Sequence, residues 1–170
     1  RSTWQPSYAT GWQSGNGLLK SLVLRDEETI RKAAASIQEE LTVSTGEGVQ
    51  PDWSYHQHGP MLQFGNYGLA YVGDMIKWIS ILRHTPFHFD EDKVAILRNY
   101  LLEGQQWVTW KNRYDITSCG RQLFPRAQTS KAASLANYFR RMEQLDPGFS
   151  EAYKKAGQYQ NLSGNRNFWR

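Results

Sequence analysis

Cysteine is almost missing. Cys119 stands alone among 170 residues, so no intrachain disulfide can form, and the spaced Cys/His set of a structural zinc site is wanting. Long apolar runs are missing as well. Runs such as Leu22 to Leu24 and Met75 to Ile76 fall far short of the roughly 20 residues needed to cross a bilayer, so no membrane partner is expected. Charge of one sign is not concentrated: 20 Lys+Arg against 16 Asp+Glu leave a formal net charge of +4. Spread along the chain without a basic block, that charge argues against nucleic acid as a partner. Arg1 leads in place of Met with no apolar signal core behind it, which predicts a piece cut from something longer and leaves secretion unreadable from these residues.

What is present excludes disorder. The chain is 39% hydrophobic and 14% aromatic, enough to bury roughly two thirds of its unfolded surface in one core. Seven Trp and nine Tyr are a surplus of rings; most belong to the core, but those left outside make platforms for sugars or bases.

Helical spacing dominates and alternating strand patterns are nearly absent. Leu18, Leu19, Leu22 and Val23 predict a helix from about Gly15 to Arg25. Asp26 is placed to cap a second, with Glu27 and Glu28 in its first turn, Ile30, Ala33, Ala34, Ile37 and Leu41 as its stripe, and an end near Thr42. Leu69, Val72, Ile76, Ile79 and Leu82 mark a third, broken at Thr85 and Pro86. Asp90 caps a fourth through Val94, Leu97 and Leu101, ending near Gly104 or running on through Trp107. Trp107 and Trp110, three apart, read as a helical core stripe. Thr129 or Ser130 caps a fifth that stops at Asp146, Pro147 and Gly148, and a last begins at Ser150. The expectation is one all-α domain over residues 1–170, possessing two long loops, 44–60 and 112–125.

The first loop concentrates chemistry. Pro51 to Pro60 reads Pro-Asp-Trp-Ser-Tyr-His-Gln-His-Gly-Pro, and Met61 to Gly68 follows as Met-Leu-Gln-Phe-Gly-Asn-Tyr-Gly. His56 and His58 share a face in extended backbone, as a metal site wants, but no third ligand stands at suitable spacing, so no metal or other cofactor is assigned. Cys119 lacks any sign of activation and reads as a structural thiol. A proton-transfer site built from His58, Tyr67 and the arginines of Gly120 to Arg126 remains.

At these residues the chain resembles polysaccharide lyase family eight, the chondroitin AC, hyaluronate and xanthan lyases. That family has a loop of the form Asp-aromatic-Ser-aromatic-x-Gln-His, then a Tyr-Gly pair nine positions after the His. Asp52, Trp53, Ser54, Tyr55, Gln57 and His58 match it, and Tyr67-Gly68 falls at that spacing. Gly120-Arg121 and Arg126 resemble the family's Gly-Arg pair and second Arg, with one residue more between the arginines. Thr10-Gly11 with Gly17 to Asp26 resembles the helix before the loop, and Gly164 to Trp169 the stretch that ends the helical domain. The resemblance implies helical hairpins forming part of an incomplete α/α toroid. It also implies further parts of a parent lyase: upstream hairpins, an upstream asparagine of the site, downstream β-sandwich domains, and a late glutamate of the site beyond Arg170. A secreted or periplasmic location comes with it.

The implied activity is cleavage of a uronic-acid-containing polysaccharide, a glycosaminoglycan such as chondroitin or hyaluronan, or a xanthan-like chain, by β-elimination. The implied catalytic groups are His58, Tyr67 and Arg121; the implied sugar contacts are Trp53, Tyr55, Asn66 and Arg126. An ordinary phenol titrates near 10, so it serves as a base only where cations favour the phenolate, a task open to Arg121 and His58. Another reading of the same residues stays open: a non-catalytic helical module that holds an anionic carbohydrate by charge and stacking.

Overall fold

The computed structural model describes residues 8–158. Among them the order is α1 (Tyr8–Leu24), α2 (Glu27–Glu39), a hairpin of β1 (Gly48–Val49) and β2 (Tyr55–His56), α3 (Leu69–Leu82), α4 (Glu91–Asn99), a second hairpin of β3 (Thr109–Trp110) and β4 (Arg113–Tyr114), α5 (Ala127–Leu145) and α6 (Ser150–Gly157). Both hairpins are antiparallel, with Val49 opposite Tyr55 and Thr109 opposite Tyr114. The architecture is all-α, made of helical hairpins: α1 packs on α2, α5 on α6, and α3 crosses to α5. The resembling segment Gly164 to Trp169 lies outside the described residues.

α2 forms as its sequence dictates. Asp26 Oδ1 accepts from the Thr29 N–H at 3.1 Å and Oδ2 from its hydroxyl at 2.5 Å, bonds that lower the Asp26 pKa. Glu27 and Glu28 pair with Arg31 and Lys32 one turn on. α1 departs from expectation. It starts earlier than Gly15, and of the predicted stripe only Leu18 is buried, while Leu19, Leu22 and Val23 are exposed, because α2 covers one side of α1.

Three further differences have local causes. Asp90 stands at the head of α4 in extended backbone, but its side chain makes no capping bond; its carbonyl accepts from Lys93 and Val94 instead. α5 begins two to three residues before Thr129 and Ser130, from Arg126 in the left-handed region at φ 65°. The two hydroxyls bond back to Arg126 O and Ala127 O. Trp107 and Trp110 form no helical stripe: the chain tightens into a 3-10 turn at Gln105–Val108 and then enters β3, which leaves Trp110 67% exposed.

A buried ion pair ties α4 to the α5–α6 turn. Arg98 donates to both Asp146 oxygens at 2.7 and 3.1 Å, Asp146 also accepts from the Tyr153 hydroxyl at 2.8 Å, and Glu91 takes another Arg98 donor at 2.6 Å. Burial opposes the Arg98 charge, yet these bonds outweigh it and raise its pKa. Removing one partner from such a group would leave an uncompensated buried charge.

Candidate active site

The segment that presents Tyr67 is not an ordinary helix start. Phe64–Gly68 winds as a π-type turn ahead of α3, with the Gly68 N–H reaching Gln63 O at 2.9 Å. Such turns are uncommon and need outside support. Gln105, completely buried, supplies it: Nε2 donates to Phe64 O at 3.1 Å and to the Tyr100 hydroxyl at 2.7 Å, while Oε1 accepts from the Tyr114 hydroxyl at 2.5 Å. The glycine after Tyr67 is a requirement of packing. A Cβ on Gly68 would lie 2.3 Å from the Tyr100 hydroxyl and 3.0 Å from the Tyr55 ring.

His58 is placed by a clamp. It leaves the first hairpin in the left-handed region at φ 59°, a conformation that costs a non-glycine residue about 1 to 2 kcal/mol. Glu47 holds it there: Oε1 accepts from the His58 N–H at 2.8 Å and from the Gly59 N–H at 3.4 Å, and the other oxygen accepts from Gln57 Nε2. Asp52 shapes the preceding turn by accepting from the Ser54 N–H and hydroxyl at 3.1 and 2.7 Å. As a result His58 Nε2 lies 2.9 Å from the Tyr67 hydroxyl, the rings edge to face at 82°.

Beside Tyr67 opens a cleft of about 490 Å³, walled by the π-type turn, the start of α3, one side of α5, and the loop of Arg121, Gln122 and Phe124. Tyr67 and Arg121 thus share one cavity although 54 residues separate them in the chain, and His58 joins through its contact with Tyr67. Gly120 turns the loop at φ +55°, where a Cβ would also strike Gln63 Oε1.

The predicted sugar contacts divide. Asn66 lines the cleft. Tyr55 does not: it is 1% exposed, with its ring 5.5 Å from Tyr71 and 5.8 Å from Tyr100. That corrects the stacking role given to it, since strand alternation in β2 turns Tyr55 inward and its neighbour His56 outward. Trp53 is half-buried against the same core. Arg126 is exposed at the head of α5, outside the lining of the cleft.

Sequence reading missed Glu47, Gln105 and Lys131. Glu47 stands among glycines eleven positions before His58 with no spacing to mark it; Gln105 and Lys131 are polar residues at inward positions of helical segments. Burial lowers the Lys131 pKa, with Cys119 opposing, and raises that of Cys119. A buried thiol held in its neutral form is inert, in keeping with a structural role. Among the described residues no three His, Cys, Asp or Glu converge as a metal ion would require, and no helix is long and apolar enough to cross a membrane.

The described residues thus form helical hairpins that set a His–Tyr pair and an arginine at one open cleft. The chain belongs to polysaccharide lyase family 8, whose N-terminal alpha-helical domain matches residues 14–161. A chondroitinase-AC of Pedobacter heparinus is 41% identical over 54 residues, 32% of this chain and 8% of the relative. A hyaluronate lyase of Staphylococcus aureus is 22% identical over 148 residues, 81% of this chain and 18% of the relative. Among solved structures, a chondroitinase AC lyase superposes at a TM-score of 0.83 with 21% identity, over 96% of this chain and 24% of its own. A Paenibacillus xanthan lyase superposes at 0.75 with 16% identity, over 95% of this chain and 18% of its own. The chain thus spans a quarter or less of each relative's length.

Proposed function

We propose that this chain supplies the proton-transfer half of a lyase site that cleaves a uronic-acid-containing polysaccharide by β-elimination. The 2.9 Å contact between His58 Nε2 and the Tyr67 hydroxyl, at the edge of a cleft that Arg121 also lines, carries the reading. Elimination begins with loss of the proton at C5 of the uronate, whose acidity is low while its carboxylate is charged. Tyr67 takes that proton as a phenolate, a state favoured by an Nε2–H donated from His58 and by the nearby Arg121 guanidinium. The electron pair left at C5 forms the C4–C5 double bond as the C4–O bond breaks. Tyr67 then returns its proton to the leaving oxygen, so one phenol serves as base and acid. His58 also helps neutralise the uronate, as donors to a developing anion do, a contribution of about 2 to 4 kcal/mol. Asn66 and Arg121 contact the sugar from the cleft wall.

Residues 1–170 would then form part of an α/α toroid catalytic domain, with the asparagine and glutamate that complete the site on other parts of a secreted or periplasmic parent enzyme. The test is incubation of the full-length parent enzyme with chondroitin, hyaluronan and xanthan. An unsaturated uronate, read by its ultraviolet absorbance, is expected from the wild type and not from Tyr67→Phe. Polymer held by the wild type without that chromophore would replace the lyase reading with the binding module.

A further inference from the structure

Lys131 is 7% exposed on the inner side of α5, next to Ala132 and one turn before Leu135, both in the core. A buried ammonium must place its donors on acceptors. Those it has chosen belong to two different segments of the site: Nζ donates to Gly65 O, within the turn that presents Tyr67, and to Gln122 Oε1, next to Arg121. The same nitrogen lies 5.7 Å from the centroid of the Phe124 ring, on the arginine loop, within cation–π reach. That loop has little apolar burial to hold it, since Leu123 and Phe124 are 62% and 53% exposed. Its backbone bonds from Gln122 to Cys119 and from Ala127 to Phe124 are local.

We infer that Lys131 is a positioning residue that latches the turn carrying Tyr67 to the loop carrying Arg121. The inference rests on the reading that those two side chains act on one sugar. Arg121 favours a phenolate at Tyr67 only while its charge is held at a fixed place, and a displacement of about 1 Å in such an arrangement lowers rate by about a hundredfold. Lys131 ties the arginine loop to the Tyr67 turn through one ammonium, from the wall of the cleft, where at 7% exposure it takes little of the space for substrate.

The experiment compares Lys131→Met, which keeps most of the stem, and Gln122→Ala, which cuts one arm of the latch at a half-buried side chain, in wild-type and Arg121→Ala full-length enzyme. Each substitution is expected to lower kcat/KM by about 10- to 100-fold alone and by less than about 3-fold when Arg121 is already gone. A lysine that served only the stability of the core would lose the same factor in both backgrounds. That result overturns the inference, as does activity within about twofold of wild type in both folded variants. Should Lys131→Met fail to fold, Gln122→Ala decides. Tyr67→Phe measured alongside separates the two levels: normal turnover there sinks the proton-transfer reading itself, whereas a dead Tyr67→Phe with a normal Gln122→Ala sinks the latch alone.

Discussion

Residues 44–63 and residues 120–126 both bring candidate groups to the cleft, yet they are built in opposite ways. The first loop is knitted inward: Ser54, Tyr55, Gln57 and Gln63 are buried, the hairpin pairs Val49 with Tyr55, and Glu47 grips the backbone at His58. The second presents Arg121, Leu123, Phe124 and Arg126 to solvent. The chemistry proposed for each accounts for the contrast. A proton moves only across a hydrogen-bond distance, so the His–Tyr pair carries the step itself and is fixed within its own loop, whereas the guanidinium assists through its field and its loop is held from outside, by Lys131 on Gln122 Oε1 and Gly65 O. The largest effect should therefore come from the fixed side. Tyr67→Phe is expected to lower turnover by about 10³-fold with glycan affinity nearly unchanged. Arg121→Ala should lower rate and affinity together, each by a smaller factor. Steady-state kinetics on both variants would break the comparison if the arginine proved the more costly loss.

The support beneath the fixed loop offers the next test. Gln105→Leu leaves the Tyr100 and Tyr114 hydroxyls buried without their shared partner and removes a donor from Phe64 O. A loss of about 3 kcal/mol in urea unfolding is expected. Stability unchanged within error would mean that the π-type turn stands without this network.

Helices were legible in the sequence wherever one face is buried and a cap precedes it, as with Asp26 and α2. Two kinds of feature were not. Turns at Phe64–Gly68 and Tyr100–Gly104 wind with an extra residue, and the usual helical spacing carries no sign of that. Strands of two residues are too short to show alternation, so Tyr55 gave no hint in the sequence that it faces the core. That Tyr67 and Arg121 would meet at one cleft, with His58 against Tyr67, was legible because motifs at set spacing resemble those of the family. The groups that hold the segments of His58 and Tyr67, namely Glu47, Gln105 and Lys131, reach them across 11, 41 and 66 residues of chain. No local pattern encodes such partners.

Glu47 tests whether the clamp on His58 matters beyond folding. Glu47→Ala frees the His58 N–H from its acceptor and should lower kcat about tenfold with little change in melting temperature. Glu47→Gln, which keeps an acceptor oxygen for that N–H, should fall between the alanine variant and wild type. An alanine variant as active as wild type would show that the left-handed turn holds His58 unaided.

The smallest effect concerns the floor of the fixed loop. Tyr71, whose ring packs on Tyr55, donates its hydroxyl to the backbone oxygen of Glu40 at 2.9 Å, and burial, with Glu39 adding repulsion, pushes the Glu40 carboxyl from 4.5 up to about 7. A carboxyl raised in the folded state keeps a proton that the unfolded chain has released. Between those two values the folded form binds more protons, so stability falls as pH rises through the window and levels off above it. Glu40→Gln removes the ionisation and leaves the backbone oxygen in place for Tyr71. Near pH 4.5 the variant should match wild type; at about pH 8 it should be more stable by something of order 1 kcal/mol, after allowance for the solvent that still reaches the group. Thermal melts of both proteins across this range decide the matter, and parallel curves would mean that Glu40 finds its charge well solvated and that the floor of the loop carries no strain of this kind.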